Sequence, residues 1–393
     1  MSNESLPAPY DFGLTGEQEA RARALHRESI VFDWLQQEIG GPRIFEHYPA
    51  EFRGELDALI ARLPEGFKSY SAVKFWPYEV AIAGRSPLIR DWYALSGLTC
   101  GTYSVPVHDG GSRGQWAEDE QHLREACEAL PWLRHVTRAD EIRQAKADKV
   151  VARYGHWQPV HPIPRDLREI DDAYRRGLRS LMLTYNRMDN VGVGCTERVD
   201  AGLSRFGLEV IRHCESLGIL VDVSHCGRAT TLDACRNARR PVNANHTCAR
   251  ALCEVARAKS DEEIRAIADS GGIIGILTVP FFVSSHRRPT IDTVLDHLDH
   301  VASLVGWRHV CLGTDWPYQL PRGIMAKLLG PSLAEAGFRA EDRIDTDDAV
   351  VGFEDYRDLP NFTRGMVKRG YTDEQIRGIL GENALRVFEQ VCG

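Results

Sequence analysis

The run GILVDVSHCGRATTLDACRNARRPVNANH, residues 218–246, decides the architecture. Two short apolar stretches, GILVDVSH (218–225) and PVNANH (241–246), flank a segment of helical character, as parallel strands joined by a crossover helix do. Each stretch ends in a histidine rather than in ordinary turn residues. In a closed barrel of alternating strands and helices, the C-terminal ends of the strands surround the active site, so a polar residue there carries chemical meaning.

The same alternation extends on both sides of this run. SIVFDW (29–34), GLTCGTYSVPV (97–107), KVVARYG (149–155) and LRSLMLTYN (178–186) precede it, and GGIIGILTV (271–279) and HVCLGTD (309–315) follow. With the central pair these make eight strands, the number that closes a (β/α)8 TIM-type barrel of the α/β class. The chain is expected to divide into an N-terminal segment with a lead-in helix (1–28) and one barrel domain (29–393) ending in a helix. Residues 35–96 and 316–357 interrupt the alternation after the first and eighth strands, and are expected to form walls or lids over a pocket.

Helical patterning is clearest in the second half. Leu203, Phe206, Val210, Cys214 and Leu217 keep one face apolar, as do Ile291, Val294, Leu295 and Leu298. Capping boxes at Thr15 with Gln18, Ser260 with Glu263, and Thr372 with Gln375 mark three helix starts. The last opens a terminal helix expected to reach about Val391, with Ile376, Ile379, Leu380, Val387 and Phe388 facing inward.

Composition narrows the classes of function. A hydrophobic fraction of 43% with 26% charged residues supports a large buried core. The net charge of -8 includes no basic run, so neither nucleic acid nor an anionic membrane is expected as a partner. A small-molecule substrate is expected instead, with a second copy of the chain as a candidate partner. The start MSNESLPAPYDFG lacks the features of a leader, and no stretch has the length of a membrane span, so a cytoplasmic location is expected. Ten cysteines without CxxC spacing read as reduced thiols, with Cys226 and Cys248 as packing groups.

Asp33, Tyr185, Asn186, His225, His246 and Asp315 end strands at the expected barrel mouth. Imidazole and carboxylate from separate strands suit zinc or a similar divalent ion. Each residue also has a plainer reading: a hydrogen-bonded core histidine, a turn-capping aspartate, a packed tyrosine.

These motifs carry a resemblance. The segment 202–253, followed by KSDEEIRAIADSGGIIGIL (259–277), is similar to the membrane dipeptidase family, peptidase family M19. GTDWPY (313–318) and DLPNFTRGMVKRGYTDEQIRGILGENALRVFEQV (358–391) resemble the end of the same family, and the likeness runs from about residue 29 to the C-terminus. It implies an amidohydrolase-like barrel and zinc-dependent cleavage of dipeptides and some β-lactams. Carried over by position, His225 and His246 match two ligands of one zinc, and Arg250 matches the arginine that holds the substrate carboxylate. Asp315 matches the aspartate that binds the other zinc and transfers protons. Tyr185 stands where the family has a histidine, as a candidate oxyanion donor beside Asn186, a candidate substrate contact.

The departures are equally specific. The family's HxD pair after the first strand is replaced in DWLQQ (33–37), where Leu35 and Gln37 hold the ligand positions. The bridging glutamate is replaced by Gln158 in YGHWQPV (154–160). LTYN (183–186) and GCTE (194–197) are similar to a divergent branch of the family. Two divalent ions offset by Asp315 alone would be poorly compensated at a low-dielectric barrel mouth. The expectation is therefore at most one zinc ion, on His225 and His246 completed by Gln158, with His156 or Asp315 as other candidates, or no metal at all. His161 and Glu197 read as loop residues. The expected function is a dipeptidase-like hydrolase of a small, carboxylate-bearing amide, with Asp315 as general base and then acid. The alternatives are a metal-free or non-hydrolytic lyase, isomerase or transferase, and a binding protein with an inactive site.

Overall fold

The computed structural model of the chain describes residues 10–37, 43–107, 115–160, 162–315 and 320–393. Nine strands pair in parallel: β1 (Phe32–Asp33), β2 (Cys100–Val107), β3 (Leu133–His135), β4 (Val151–Pro159), β5 (Leu178–Met182), β6 (Leu220–Asp222), β7 (Val242–Thr247), β8 (Ile274–Ile276) and β9 (Val310–Leu312). β1 pairs with β2 on one edge and β9 on the other, and β2 pairs with β4 along 100–107 and 152–159. The remaining strands follow in chain order, so eight strands close a ring flanked by helices, a (β/α)8 barrel.

Those eight are the eight stretches read from the sequence. β3 is the addition: it takes the edge of β4 at 151–153 that β5 occupies from 155 onward, and so lies outside the ring. LRH has one buried residue among three, too little periodicity to recognise. Every position of β4 to β9 is buried, because helices cover the outer face while the inner face fills the barrel.

The three expected capping boxes form, at Thr15, Ser260 and Thr372. The terminal helix continues from Asp373 to Cys392 with one π-helical turn at Gly378–Glu382, and all five of its expected inward residues are buried. Leu203 precedes the helix assigned to it, which starts at Arg205 behind a Ser204 cap. At the base of the barrel, Phe388 of the terminal helix meets Tyr154 at 5.0 Å and Phe32 at 6.1 Å, in a cluster with Cys100, Ala152, Leu220 and Cys311 from the strand starts. Aromatic packing thus closes the end opposite the strand C-termini, leaving the other end to form a site.

His26 ties three distant segments together. Its Nε2–H donates to the Ser96 carbonyl (2.9 Å) and its Nδ1 accepts from the Thr363 hydroxyl (2.8 Å). Burial holds the imidazole neutral and lowers its pKa to about 4. The folded state therefore binds fewer protons than the unfolded chain between that value and about 6.5, so this contribution is complete above about pH 6.5 and is lost on acidification. Urea denaturation is expected to register a loss of about 2 kcal/mol from this group between neutrality and about pH 5, absent in His26→Gln. An unchanged pH slope in the variant would reject the assignment.

Candidate active site at the barrel mouth

The site begins at the seam between the first and last strands. Asp33 Oδ1 accepts from the Thr314 N–H (2.9 Å), and Oδ2 from the hydroxyls of Thr314 (2.6 Å) and Tyr356 (3.0 Å). Asp33 was expected among the mouth residues; it is completely buried and spent on holding β1 to β9. Just beyond it, Asp315 adopts a left-handed backbone (φ 53°), a conformation aspartate tolerates better than most residues, and its N–H donates to the Leu35 carbonyl (2.9 Å).

The carboxyl of Asp315 accepts from Gln37 Nε2 at 2.8 Å and lies 3.9 Å from His246 Nε2. Burial pushes its pKa up to about 7, against the hydrogen bond from Gln37 and the charge of Arg257, and with reinforcement from Asp33 and Asp222. A carboxyl so placed changes charge near neutrality.

His225 and His246 face one another across 3.0 Å, Nε2 to Nε2. Burial first, then the positive charge of Arg257, keeps both imidazoles neutral. Arg257 was not singled out from the sequence. It donates to the backbone carbonyls of Ser224 and of His246 (3.2 Å for the second), which puts a permanent cation behind the pair. His225 Nδ1–H donates to Asn186 Oδ1 at 2.7 Å, which leaves its Nε2 lone pair directed at His246 and the cavity. Tyr185 stacks on the His225 ring (centroids 4.0 Å, planes 19° apart) and meets Phe338 edge-on at 5.9 Å.

The residues at the family's lost ligand positions form hydrogen bonds of their own. Gln37 Nε2 reaches Asp315 and, at 3.5 Å, Gln158 Oε1. Gln158 Oε1 also accepts from the Ser104 hydroxyl (2.8 Å), and its Nε2 faces His225 Nε2 at 3.4 Å. Gln158 was the expected third ligand; here its oxygen accepts from Ser104 and Gln37 and its amide nitrogen faces the histidine. Leu35 has no donor at all. Among the described residues no group of three or more His, Cys, Asp or Glu side chains is arranged to hold a metal ion. The residues therefore do not fit the paired ions that the resemblance implies, and the two imidazoles, with the Asp315 carboxyl 3.9 Å from His246, are the donors left for any single one.

Other expected residues separate from this centre. Asn186 is fully buried behind His225 and serves to orient it, instead of facing substrate. Gly194 makes that position possible, since a Cβ there would lie 2.1 Å from the Asn186 backbone. Arg250 turns its guanidinium to the Ala258 carbonyl (2.9 Å) and lines a neighbouring cavity with Cys195, Cys253, Arg339 and Arg343. The expected carboxylate clamp is thus displaced from the histidine pair, because the 250–259 turn folds back on itself. His156 lies deeper in the barrel, bonded to Ser180 (2.9 Å) and 3.8 Å from Asp222. Glu197 caps the Met188 N–H in an exposed loop, and His161 lies outside the described residues.

The cavity over Asp315 and His225 is lined by both insertions, as expected: Tyr70 and Lys74 from the first, and Met325, Leu329, Leu333 and Phe338 from the second. Lys74 and Ser104 are contributors that the sequence reading missed; each sits mid-element with no strand-end position to mark it.

A parallel eight-stranded barrel with paired histidines and an aspartate at its mouth puts the chain among (β/α)8 barrel proteins whose site lies at the strand C-termini. The chain belongs to the membrane dipeptidase family (peptidase family M19), whose pattern matches residues 20–330 and 343–392, and is thus an enzyme of hydrolase descent. It is 29% identical over 194 residues to an uncharacterized protein in the pqqA 5′ region of Klebsiella pneumoniae, covering 47% of this chain and 72% of that one. Solved structures with the same fold include an amidohydrolase from Pseudomonas aeruginosa (24% identity, TM-score 0.73, 95% of this chain and 99% of that one). They also include the probable dipeptidase PvdM of the same organism (17%, 0.71, 96% and 99%). A third is a metallopeptidase of Rhodobacter sphaeroides bound to a phosphinate mimic of L-Ala-D-Ala (19%, 0.67, 93% and 100%). Among the described residues no helix is long and apolar enough to cross a membrane.

The Asn186 contact yields a spectroscopic test. In ¹⁵N spectra of the histidine side chains, His225 is expected as the neutral Nδ1–H form. Asn186→Leu should abolish that preference and lower turnover roughly tenfold to a hundredfold, the usual cost of losing an orienting partner. Retention of the same tautomer in the variant would show that Asn186 does not set it.

Proposed function

We propose that the chain is a dipeptidase-like hydrolase of a small amide or dipeptide-type substrate bearing a carboxylate, working with at most one divalent ion. The observation that carries this reading is the Asp315 carboxyl, held by Gln37 at 2.8 Å and 3.9 Å from His246, with its pKa pushed up to about 7 by burial. A group with that affinity can both take and return a proton at neutral pH. Asp315 removes a proton from water as its oxygen bonds to the amide carbon, and delivers that proton to the nitrogen as the C–N bond breaks. The Tyr185 hydroxyl, kept protonated by burial, is available to donate to the carbonyl oxygen on which charge develops. A single ion on His225 and His246 would supply a water of lowered pKa and a Lewis acid.

Hydrolysis of L-Ala-D-Ala, followed from about pH 5 to about pH 9, tests the assignment of Asp315. kcat/KM is expected to rise through an apparent pKa near 7, since the base must be ionised, and Asp315→Asn is expected to lower kcat by about 10²–10⁴-fold. Metal analysis of the purified protein should find no more than one ion per chain; two bound ions would reject the proposal.

A second reading, metal-free or non-hydrolytic chemistry on the same barrel, is favoured by one observation. The amides of Gln37 and Gln158 link Asp315, Ser104 and His225 where the family places charged ligands. On that reading, combining Leu35→His, Gln37→Asp and Gln158→Glu creates dipeptide hydrolysis that the parent lacks. A parent already fully active on dipeptides rules it out.

A further inference from the structure

We propose that the second insertion builds a subsite for a large apolar side chain, of leucine or phenylalanine size, next to the amide of the substrate. The inference rests on the proposed reading of the barrel mouth as a site for small carboxylate-bearing amides. Among the described residues of that insertion, the cavity over Asp315 and His225 takes five apolar side chains, Met325, Leu329, Leu333, Phe338 and Ile344, and one polar one, Thr346. Met325, Leu329 and Leu333 are spaced by four along helix Ile324–Glu335, so they lie one above another on the face that borders the cavity. The polar lining groups Gln37, Ser104 and Gln158 are committed to one another, to Asp315 or to His225 by hydrogen bonds.

Distances tie this wall to the reacting centre. The Phe338 ring meets Tyr185 edge-on at 5.9 Å, and Tyr185 lies flat on His225 at 4.0 Å. The wall therefore begins one ring away from the imidazole that faces His246 at 3.0 Å. Local backbone chemistry fixes Phe338 there. Past the helix end Gly337 turns with φ 87° and donates its N–H to the Ala334 carbonyl (3.1 Å), and the Phe338 N–H donates to the Leu333 carbonyl (2.9 Å). A Cβ at Gly337 would lie 2.8 Å from the Arg187 side chain and 3.0 Å from that of Asn186, so glycine is what lets the turn come this close to the strand end. Arg187 then clamps it, donating to the Ala334 carbonyl at 2.6 Å. A polar group held against Leu329, Leu333 and Phe338 gives up its water without a hydrogen bond in return, whereas an alkyl or aryl group gains in proportion to the area it buries. The wall thus selects what stands beside the amide.

The full-length protein is titrated with N-acetyl-L-leucine, N-acetyl-L-alanine and N-acetyl-L-serine, which share the amide and the carboxylate, and binding is followed by ligand-observed NMR. Wild type is expected to prefer the leucine derivative over the alanine one by about tenfold or more, and to bind the serine derivative no better than the alanine one. Phe338→Ala should cut the leucine preference by about threefold or more, and Phe338→Leu should keep it. Leu333→Gln, at a half-buried position, carries the same comparison if Phe338→Ala does not fold. Absence of a leucine preference in wild type, tighter binding of the serine derivative than of the leucine one, or a preference undiminished in the folded variant would each overturn the proposal. Dipeptide turnover is scored separately. Leucine-selective binding without turnover upholds the subsite and rejects the hydrolase reading, and turnover without leucine-selective binding does the reverse.

Discussion

The Asp33 carboxylate is the constraint on which the site depends. β1 contains two residues and shares a single aligned pair with β9, so backbone bonding alone gives the barrel seam little strength. Asp33 supplements it with bonds to the backbone and hydroxyl of Thr314 and to Tyr356, at the end of the second insertion. First strand, last strand and the return of a long excursion therefore meet at one buried carboxylate. Charge-assisted bonds of this kind are stronger than neutral ones, and their partners would be left unsatisfied if the carboxylate were removed. Gln37 and Asp315 lie a few residues beyond the seam on either side, and their contact follows from its geometry.

Electrostatics explains how such a mouth persists without the acidic ligands that the family resemblance implies. A pair of dications needs compensating carboxylates close by, and here two of the corresponding positions hold neutral amides while Arg257 adds positive charge behind the histidines. The amides satisfy the polar atoms that would otherwise be stranded. Gln37 serves Asp315, and Gln158 joins Ser104 to His225. Burial raises Asp315 into the neutral range, a value suited to moving protons.

The insertions divide the labour differently from the barrel. Strand ends fix His225, His246 and Asp315 on short, fully buried segments, where packing leaves little freedom. The walls come from loops and helices outside the ring, which can vary without disturbing closure. That division lets one barrel keep the residues at its mouth while the walls around them vary.

The sequence by itself determined the eight barrel strands, the three capped helix starts and the strand-end positions of His225, His246 and Asp315, because all of these follow from local periodicity and from what a strand end normally contains. It also exposed the missing ligands, since leucine and glutamine differ in chemistry from histidine and carboxylate wherever they sit. Only the tertiary structure decided that Asn186 stands behind His225, that Gln158 turns its nitrogen to that ring, that Arg250 opens elsewhere, and that Lys74 and Arg257 come close. Those outcomes depend on side-chain direction and on contacts between segments far apart in the chain, such as the 278 positions separating Gln37 from Asp315, and local pattern carries no record of either.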